Sequence, residues 1–367
     1  LEAMLQQSLA TRAFLPTPMR RMNRFQYNNA VVDLLELNRE IFRLNERLMR
    51  RRQDYFKPET RKMPAQVRVS SRPLSKDIDN QRPEGFKGVA SFPQDQRAEH
   101  GFDNRADHLT LSPLLMESFL KLSRTITESP DLNAKECRSW GWLFSPAGKK
   151  AEPEPDPGAA NEIRSRLRKL LRRAFRRVPE PATVERFAKF SETQLATGAT
   201  LEQAMRTVVG AILGMPDFLY FYELPDKGDS DNKDRGRQRI NDFELASRLA
   251  LFFWSSIPDD TLLDLAEAGK LSDPKILSTQ IDRMLNDRRT GRFCDNFPSQ
   301  WLQLDRLITS VPDHGKFPYF YLVDGYRTSM HMISEPLLLF ETVYIEDRSI
   351  MDLLDPGFTW ENNMLRA

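Results

Sequence analysis

Apolar side chains recur at three- and four-residue spacing through most of this 367-residue chain, and the alternation that marks a strand is almost missing. A 3.6-residue period puts such side chains on one helix face, and that face must be buried against other helices. The reading is therefore all-α: multi-domain helical bundles with long irregular Pro-rich connections. The clearest stripe lies in Asn161–Arg177, where Ile163, Leu167, Leu170, Leu171, Ala174 and Phe175 share one face and Arg and Lys fill the other. Helices are also predicted at 20–37, 113–127, 181–195, 201–215, 241–255 and 291–304, with the longest pattern at 318–345. Pro298 removes a hydrogen bond and is expected to kink its helix, and Pro336 to interrupt the longest one.

The most distinctive stretch is NDFELASRLALFFWSSIPDDTLLDLAEAGKL, residues 241–271. Asn241 with Glu244 has capping-box spacing, Pro258 opens the next helix, and Gly269 is placed to end it in a left-handed conformation. Asp273 before Pro274 caps a third helix. Phe243, Ala246, Leu249, Ala250, Phe252 and Phe253 leave only a thin polar stripe, which predicts cover on both sides of the first helix.

A chain this long holds two or three cores at roughly 100–200 residues each. We divide it into an amino-terminal helical domain, 1–144, with a long irregular insertion at 50–100 where prolines recur; a Pro/acidic linker, 145–160, containing EPEPDP; and a short helical domain, 161–224. A charged loop at 225–240 then leads to a central helical domain, 241–367, read as truncated at its C-terminal end. A loop as long as 50–100 is either functional or draped over a partner.

Composition narrows the function classes. With 54 basic and 52 acidic side chains, no whole-chain field argues for nucleic acid or membrane. No apolar run approaches the roughly 18 residues of a spanning helix. The opening LEAMLQQSLATRAF lacks the parts of a signal peptide; with the missing initiator Met and the ending MLRA, this predicts a fragment or a processed form. Two cysteines, Cys137 and Cys294, make no disulfide scaffold, and Cys294 is read as a buried thiol.

Candidate chemistry is sparse. The turn Gly101–Asp107 places the oxygen-bearing Asp103, Asn104 and Asp107 within five positions, a set that suits calcium. The plainer reading is an Asx-turn leading into the helix near Pro113. His100 and His108 flank the turn as a candidate ligand or base. His331 lies beside Met330 and Met332, but adjacent helical residues point about 100° apart and cannot clamp one iron together. Arg164–Arg177 packs eight basic residues into fourteen positions. Arg164, Arg168, Arg172, Arg173 and Arg176 are its candidate partner-binding residues, set against the plainer reading of a solvated face with Arg–carboxylate pairs. No aromatic interleaving offers a base-stacking platform, so an acidic protein surface fits better than nucleic acid. Asp259 and Asp260 suit a helix amino terminus; Glu346 and Asp347 end a helix with no evident role. Walker, Gly-x-Ser-x-Gly and Gly-x-Gly-x-x-Gly motifs are missing from the sequence, so catalytic residues stay unassigned.

The blocks FELASRLALFFWSSIPDDTLLDLAEAGKL, QIDRMLNDRRTGRF and QWLQLDRL resemble a domain of the large planctomycete cytochrome-c-associated proteins, whose helical domains are of unknown function. Colinear blocks support the likeness: RRMNRFQYNNAVVDLL and SFPQDQRAEHGFDNRADHLTLSPLLMESFL resemble the amino-terminal domain, and LRKLLRRAFRRVPEPATVERF with LGMPDFLYFYEL the short one. Pro298, Pro336 and Trp360-Glu361-Asn362-Asn363 depart from the family pattern. The resemblance implies an exported, periplasmic or otherwise extracytoplasmic protein with a c-type cytochrome domain usually ahead of this region. No Cys-x-x-Cys-His occurs here, so no cofactor is expected in this chain and haem c would sit on an upstream domain. The implied partners are other proteins in a larger complex that includes a cytochrome, with no nucleic acid. Two functional expectations follow: a haem-free interaction or scaffold module in a redox-linked assembly, or an oxidoreductase exchanging electrons with a cytochrome c domain absent from this chain.

Overall fold

The computed structural model describes residues 20–71, 85–94, 101–103, 113–145, 157–221, 240–321 and 328–362. It is mainly helical with very little strand, as the periodicity requires. The His100, Asn104, Asp107 and His108 positions, the acidic linker before Pro157 and most of the 225–240 loop lie outside the described residues.

Helix α1 (Arg24–Leu34) begins at Asn23, whose side chain accepts from the Gln26 N–H while Gln26 returns the bond in a capping box. It buries Phe25, Tyr27, Ala30, Val31 and Leu34 against α2 (Pro113–Glu128), α4 (Pro157–Phe175) and α6 (Leu201–Leu213), with α5 (Pro181–Ala196) closing the bundle. The short α3 (Trp140–Leu143) and α7 (Pro216–Leu219) plug its ends. Tyr27 sits at the centre, its ring 5.7 Å from Phe218 and 5.8 Å from Phe92, its hydroxyl donating to the Leu213 carbonyl at 3.3 Å. Strand β1 (Arg20–Arg21) pairs antiparallel with β4 (Tyr220–Phe221), which ties the two ends of this bundle together. One continuous core thus runs from Met22 to Leu219 across the 145–160 linker.

The irregular stretch after α1 also has a place. Strands β2 (Met49–Arg51) and β3 (Val69–Ser71) pair antiparallel, with Met49 opposite Ser71. Leu48, Met49, Tyr55, Phe56 and Met63 then bury themselves with Cys294, Leu337, Leu338 and Ile345, residues of α11 (Gly291–Trp301) and α14 (Ser334–Ile345). The segment drapes over the chain's own carboxy-terminal helices. A third cluster joins α8 (Asp242–Trp254), α9 (Asp260–Glu267) and α10 (Pro274–Leu285) around Trp254, which the Arg289 guanidinium covers 3.4 Å from its ring centroid.

Local signals mostly hold. Asn241, Asp259 and Asp273 each accept a backbone N–H at their helix start, and Gly269 adopts φ +62°. Two expectations need correction. Helix α8 is covered incompletely: Ala246, Ala250 and Trp254 are buried, and Phe252, although its ring lies 5.5 Å from that of Phe293 in α11, is 60% exposed. Helix α11, by contrast, runs through Pro298 within the expected 291–304 span, with Leu302 donating to the Pro298 carbonyl at 3.0 Å. The 318–345 pattern is several pieces: α13 (Thr328–Met332) is separated from α14, and Pro336 falls in the first turn of α14, where the N–H that proline lacks would have no intrahelical acceptor. A short α12 (Asp305–Thr309) precedes them. Among the described residues no helix is long and apolar enough to cross a membrane.

Candidate functional site

The basic face of α4 lies at the junction of the described segments. Arg164 makes a bidentate pair with Glu185 of α5, both bonds 2.9 Å, and reaches Glu192 at 2.9 Å. The Glu185 bond raises the Arg164 pKa and holds the Glu185 carboxyl below its ordinary range. Arg172 bonds Asp264 and Glu267 of α9 at 2.6 and 2.9 Å. Arg173 pairs bidentately with Asp260 and reaches Glu36 at 2.7 Å; its bond lowers the Asp260 pKa. Arg176, buried and at φ +58°, donates to the carbonyls of Asp217, Phe218 and Tyr220, clasping α7. Four of the five arginines singled out in the sequence are thus engaged within the chain. The fifth, Arg168, is exposed and makes no ion pair among the described residues.

Arg168 lines a groove of about 930 Å³ between α4, α5 and α9. Arg164 braces one wall and Arg172 the other, with Arg168 between them at helical spacing. Lys169, also exposed, rests 4.4 Å from the Trp142 ring centroid. Val178, Pro179, Pro181 and Ala182 supply an apolar edge, and Val178 is 49% exposed.

A second polar junction runs along α11. Asp33 of α1 accepts two bonds from Arg292, 2.6 and 2.8 Å, and one from Ser256 at 2.5 Å. Burial pushes the Asp33 pKa up, but Arg292 more than offsets this and the carboxyl titrates below its ordinary value. Further along, Gln300 donates to Asp103 at 3.0 Å and Asn23 donates to the same oxygen at 2.9 Å, while the Asp103 N–H returns a 3.2 Å bond to Gln300. Asp103 is 4% exposed. It ties the start of α1 to α11, and its Oδ1 accepts from two N–H donors. Among the described residues no group of three or more His, Cys, Asp or Glu side chains is placed to hold a metal.

Between these points lies a charge cluster that sequence reasoning missed. Glu341 of α14, 0% exposed, accepts from Tyr55 at 2.6 Å and pairs with Arg51, which also bonds Asp295 at 2.9 Å. Arg47 reaches Asp295 at 3.2 Å, and the Cys294 thiol is buried alongside. Burial raises the Glu341 pKa despite Arg51 and Tyr55, and raises that of Cys294 well above the usual thiol range. The signal available in the sequence was a single acid within the apolar run LLLFETVYI, together with the polar row Arg292, Asp295, Asn296, Ser299 opposite Phe293 and Phe297. The Glu346–Asp347 pair also gains a role: Glu346 accepts the Met63 N–H at 3.0 Å and pins the draped segment, while Asp347 meets Arg61 at 3.4 Å.

With this geometry in hand, the chain can be set beside known families. Residues 85–129 match PSD3, a protein of unknown function (DUF1587); residues 162–223 match PSD5, a protein of unknown function (DUF1595); residues 240–367 match PSD4, a protein of unknown function (DUF1592). All three are known as planctomycete cytochrome-c-associated domains. No curated protein and no solved structure matches the chain.

Proposed function

We propose that this chain is a haem-free helical interaction module of an extracytoplasmic, redox-linked assembly that includes a cytochrome bearing haem c. The observation that supports this reading best is the α4 groove: its wall carboxylates are held by internal ion pairs, and Arg168 and Lys169 are exposed beside an apolar edge. Such a surface binds a protein partner and performs no chemistry by itself. Association of the three matched domains with cytochrome c supports the redox setting.

The second reading is an oxidoreductase that exchanges electrons with a cytochrome c domain. The Arg51–Asp295–Glu341–Tyr55 cluster favours it, since buried groups whose titration is displaced, as the Glu341 carboxyl and the neighbouring Cys294 thiol are, gather at active sites. Its groups bond one another from three segments, however, as a buried structural latch also does. One experiment separates the two: metal analysis and visible spectroscopy of the protein purified with its native partners. The module reading expects c-type absorption that belongs to a separable polypeptide or segment and no stoichiometric metal on residues 1–367. A stoichiometric non-haem metal, or a spectrum altered by Asp103→Ala or His100→Ala, would establish the enzyme instead.

A further inference from the structure

We propose that residues 48–71 form a strap that opens and closes over α11 and α14 as one unit, latched by proton-dependent contacts of Arg51 and Tyr55 with Glu341. The strap is built to move as a piece. Among the described residues β2 and β3 pair only with each other. Arg52 extends that ladder, donating its N–H to the Arg68 carbonyl at 2.8 Å and its Nε to Ser70 at 2.9 Å. Toward the two helices the strap presents the apolar side chains of Leu48, Met49, Tyr55, Phe56 and Met63, and the Met63 N–H that Glu346 accepts. A segment whose ladder closes within itself can leave without breaking the backbone bonds of its neighbours. The helices still hold each other when it leaves, since the rings of Phe293 and Phe297 in α11 both lie 5.9 Å from that of Phe340 in α14.

The latch lies beneath the strap. The buried Glu341 accepts from Tyr55 through Oε2 at 2.6 Å, and its Oε1 meets Arg51 Nη2. The same Nη2 lies 2.9 Å from Asp295 Oδ1, so one guanidinium nitrogen serves two carboxylates. Asp295 also receives Arg47, itself paired with Glu40, and the Cys294 thiol is buried beside the cluster. With the strap closed, an ionised Glu341 shares Arg51 with Asp295 out of reach of water. With the strap open it is solvated and binds its proton as an ordinary carboxyl does. The closed form therefore holds the proton more tightly, and burial raises the Glu341 pKa in that sense. As pH rises from 4.5 through the closed-state pKa, the proton is lost and the strap loosens.

The test is hydrogen–deuterium exchange of the full chain at about pH 5 and about pH 8, expressed as protection factors so that the intrinsic pH dependence of exchange cancels. Peptides from residues 48–71 are expected to be less protected than those of α6, and to lose roughly fivefold or more of their protection between the two conditions while α6 changes little. Glu341→Gln is expected to abolish the pH difference within the strap. Tyr55→Phe keeps the ring in the core and removes a donor that the ionised acid needs more than the neutral one. It is expected to lower strap protection more at the higher pH than at the lower, and it carries the test if the glutamine variant does not fold. Equal protection of the strap and α6 would mean opening only by global unfolding, and overturns the inference. So does strap protection that is the same at both pH values in the wild type, a pH difference that persists in Glu341→Gln, or one that Tyr55→Phe leaves unchanged.

Discussion

Gly101 is the residue at which the turn before Asp103 depends most on having no side chain. Its φ is +92°, and a Cβ there would lie 2.7 Å from the Gln300 carbonyl oxygen and 2.9 Å from Gln303 Cγ. Gly269 has φ +62° but open space around it. Gly101→Ala is therefore expected to cost about 2–3 kcal/mol or to dislodge the turn, against about 1 kcal/mol for Gly269→Ala, where only the backbone conformation is penalised. Urea unfolding of the two variants measures the difference, and equal costs would contradict the packing described at Gln300. Asp33 makes a pH prediction. Its folded pKa is lowered from 3.8, so its stabilisation is fully present above that value and is lost as pH falls through the folded pKa. Asp33→Asn is expected to lower Tm at neutral pH and to flatten the acid limb of the Tm-versus-pH curve below about pH 4. An unchanged acid limb would mean that Arg292 does not hold Asp33 in solution.

Helix α11 joins more of the molecule than any stripe reading suggests. Its polar side meets Asp33, Arg51, Arg47 and Asp103, residues supplied by the amino-terminal part of the chain. Removing one partner of such a buried pair leaves an uncompensated charge, so Arg51→Ala is expected to cost about 3–5 kcal/mol. Glu341→Gln keeps the shape and is expected to cost less. The folded Glu341 pKa is raised above 4.5, so the native state binds the proton more tightly and loses stability as pH rises from that value through the folded pKa. The glutamine variant is expected to lose that slope, as thermal melts across mildly acidic to neutral pH will show. The contrast also explains what the sequence made legible. The caps at Asn241, Asp259 and Asp273 and the stripe of α4 are local, set by residues a few positions apart, and they read correctly. Arg51 and Glu341 are separated by 290 positions, and nothing local names the partner of a buried acid. Phe252 misled because an apolar residue on a helix is buried only as far as its neighbours cover it, and contact with Phe253 and Phe293 still leaves it 60% exposed.

At the scale of the whole molecule, the boundaries drawn from proline and charge do not partition the core. The bundle that starts at Met22 is completed by α4, α6 and α7, and the stretch from 48 to 63 completes the core of α11 and α14. Residues 162–223 are therefore expected to fail to fold when expressed alone, because α4 then exposes Leu167, Leu170 and Leu171. A soluble, cooperatively melting fragment would refute this. In this interlocked arrangement Arg164, Arg172, Arg173 and Arg176 of α4 each hold the helix to another segment, while Arg168 and Lys169 are exposed. The most direct measurement of the central claim is native mass spectrometry with metal analysis of the protein isolated from its source together with whatever binds it. The account predicts a larger particle in which haem c belongs to a cytochrome component and residues 1–367 hold no stoichiometric metal. A particle without a cytochrome, or a stoichiometric metal held by these residues, would contradict it.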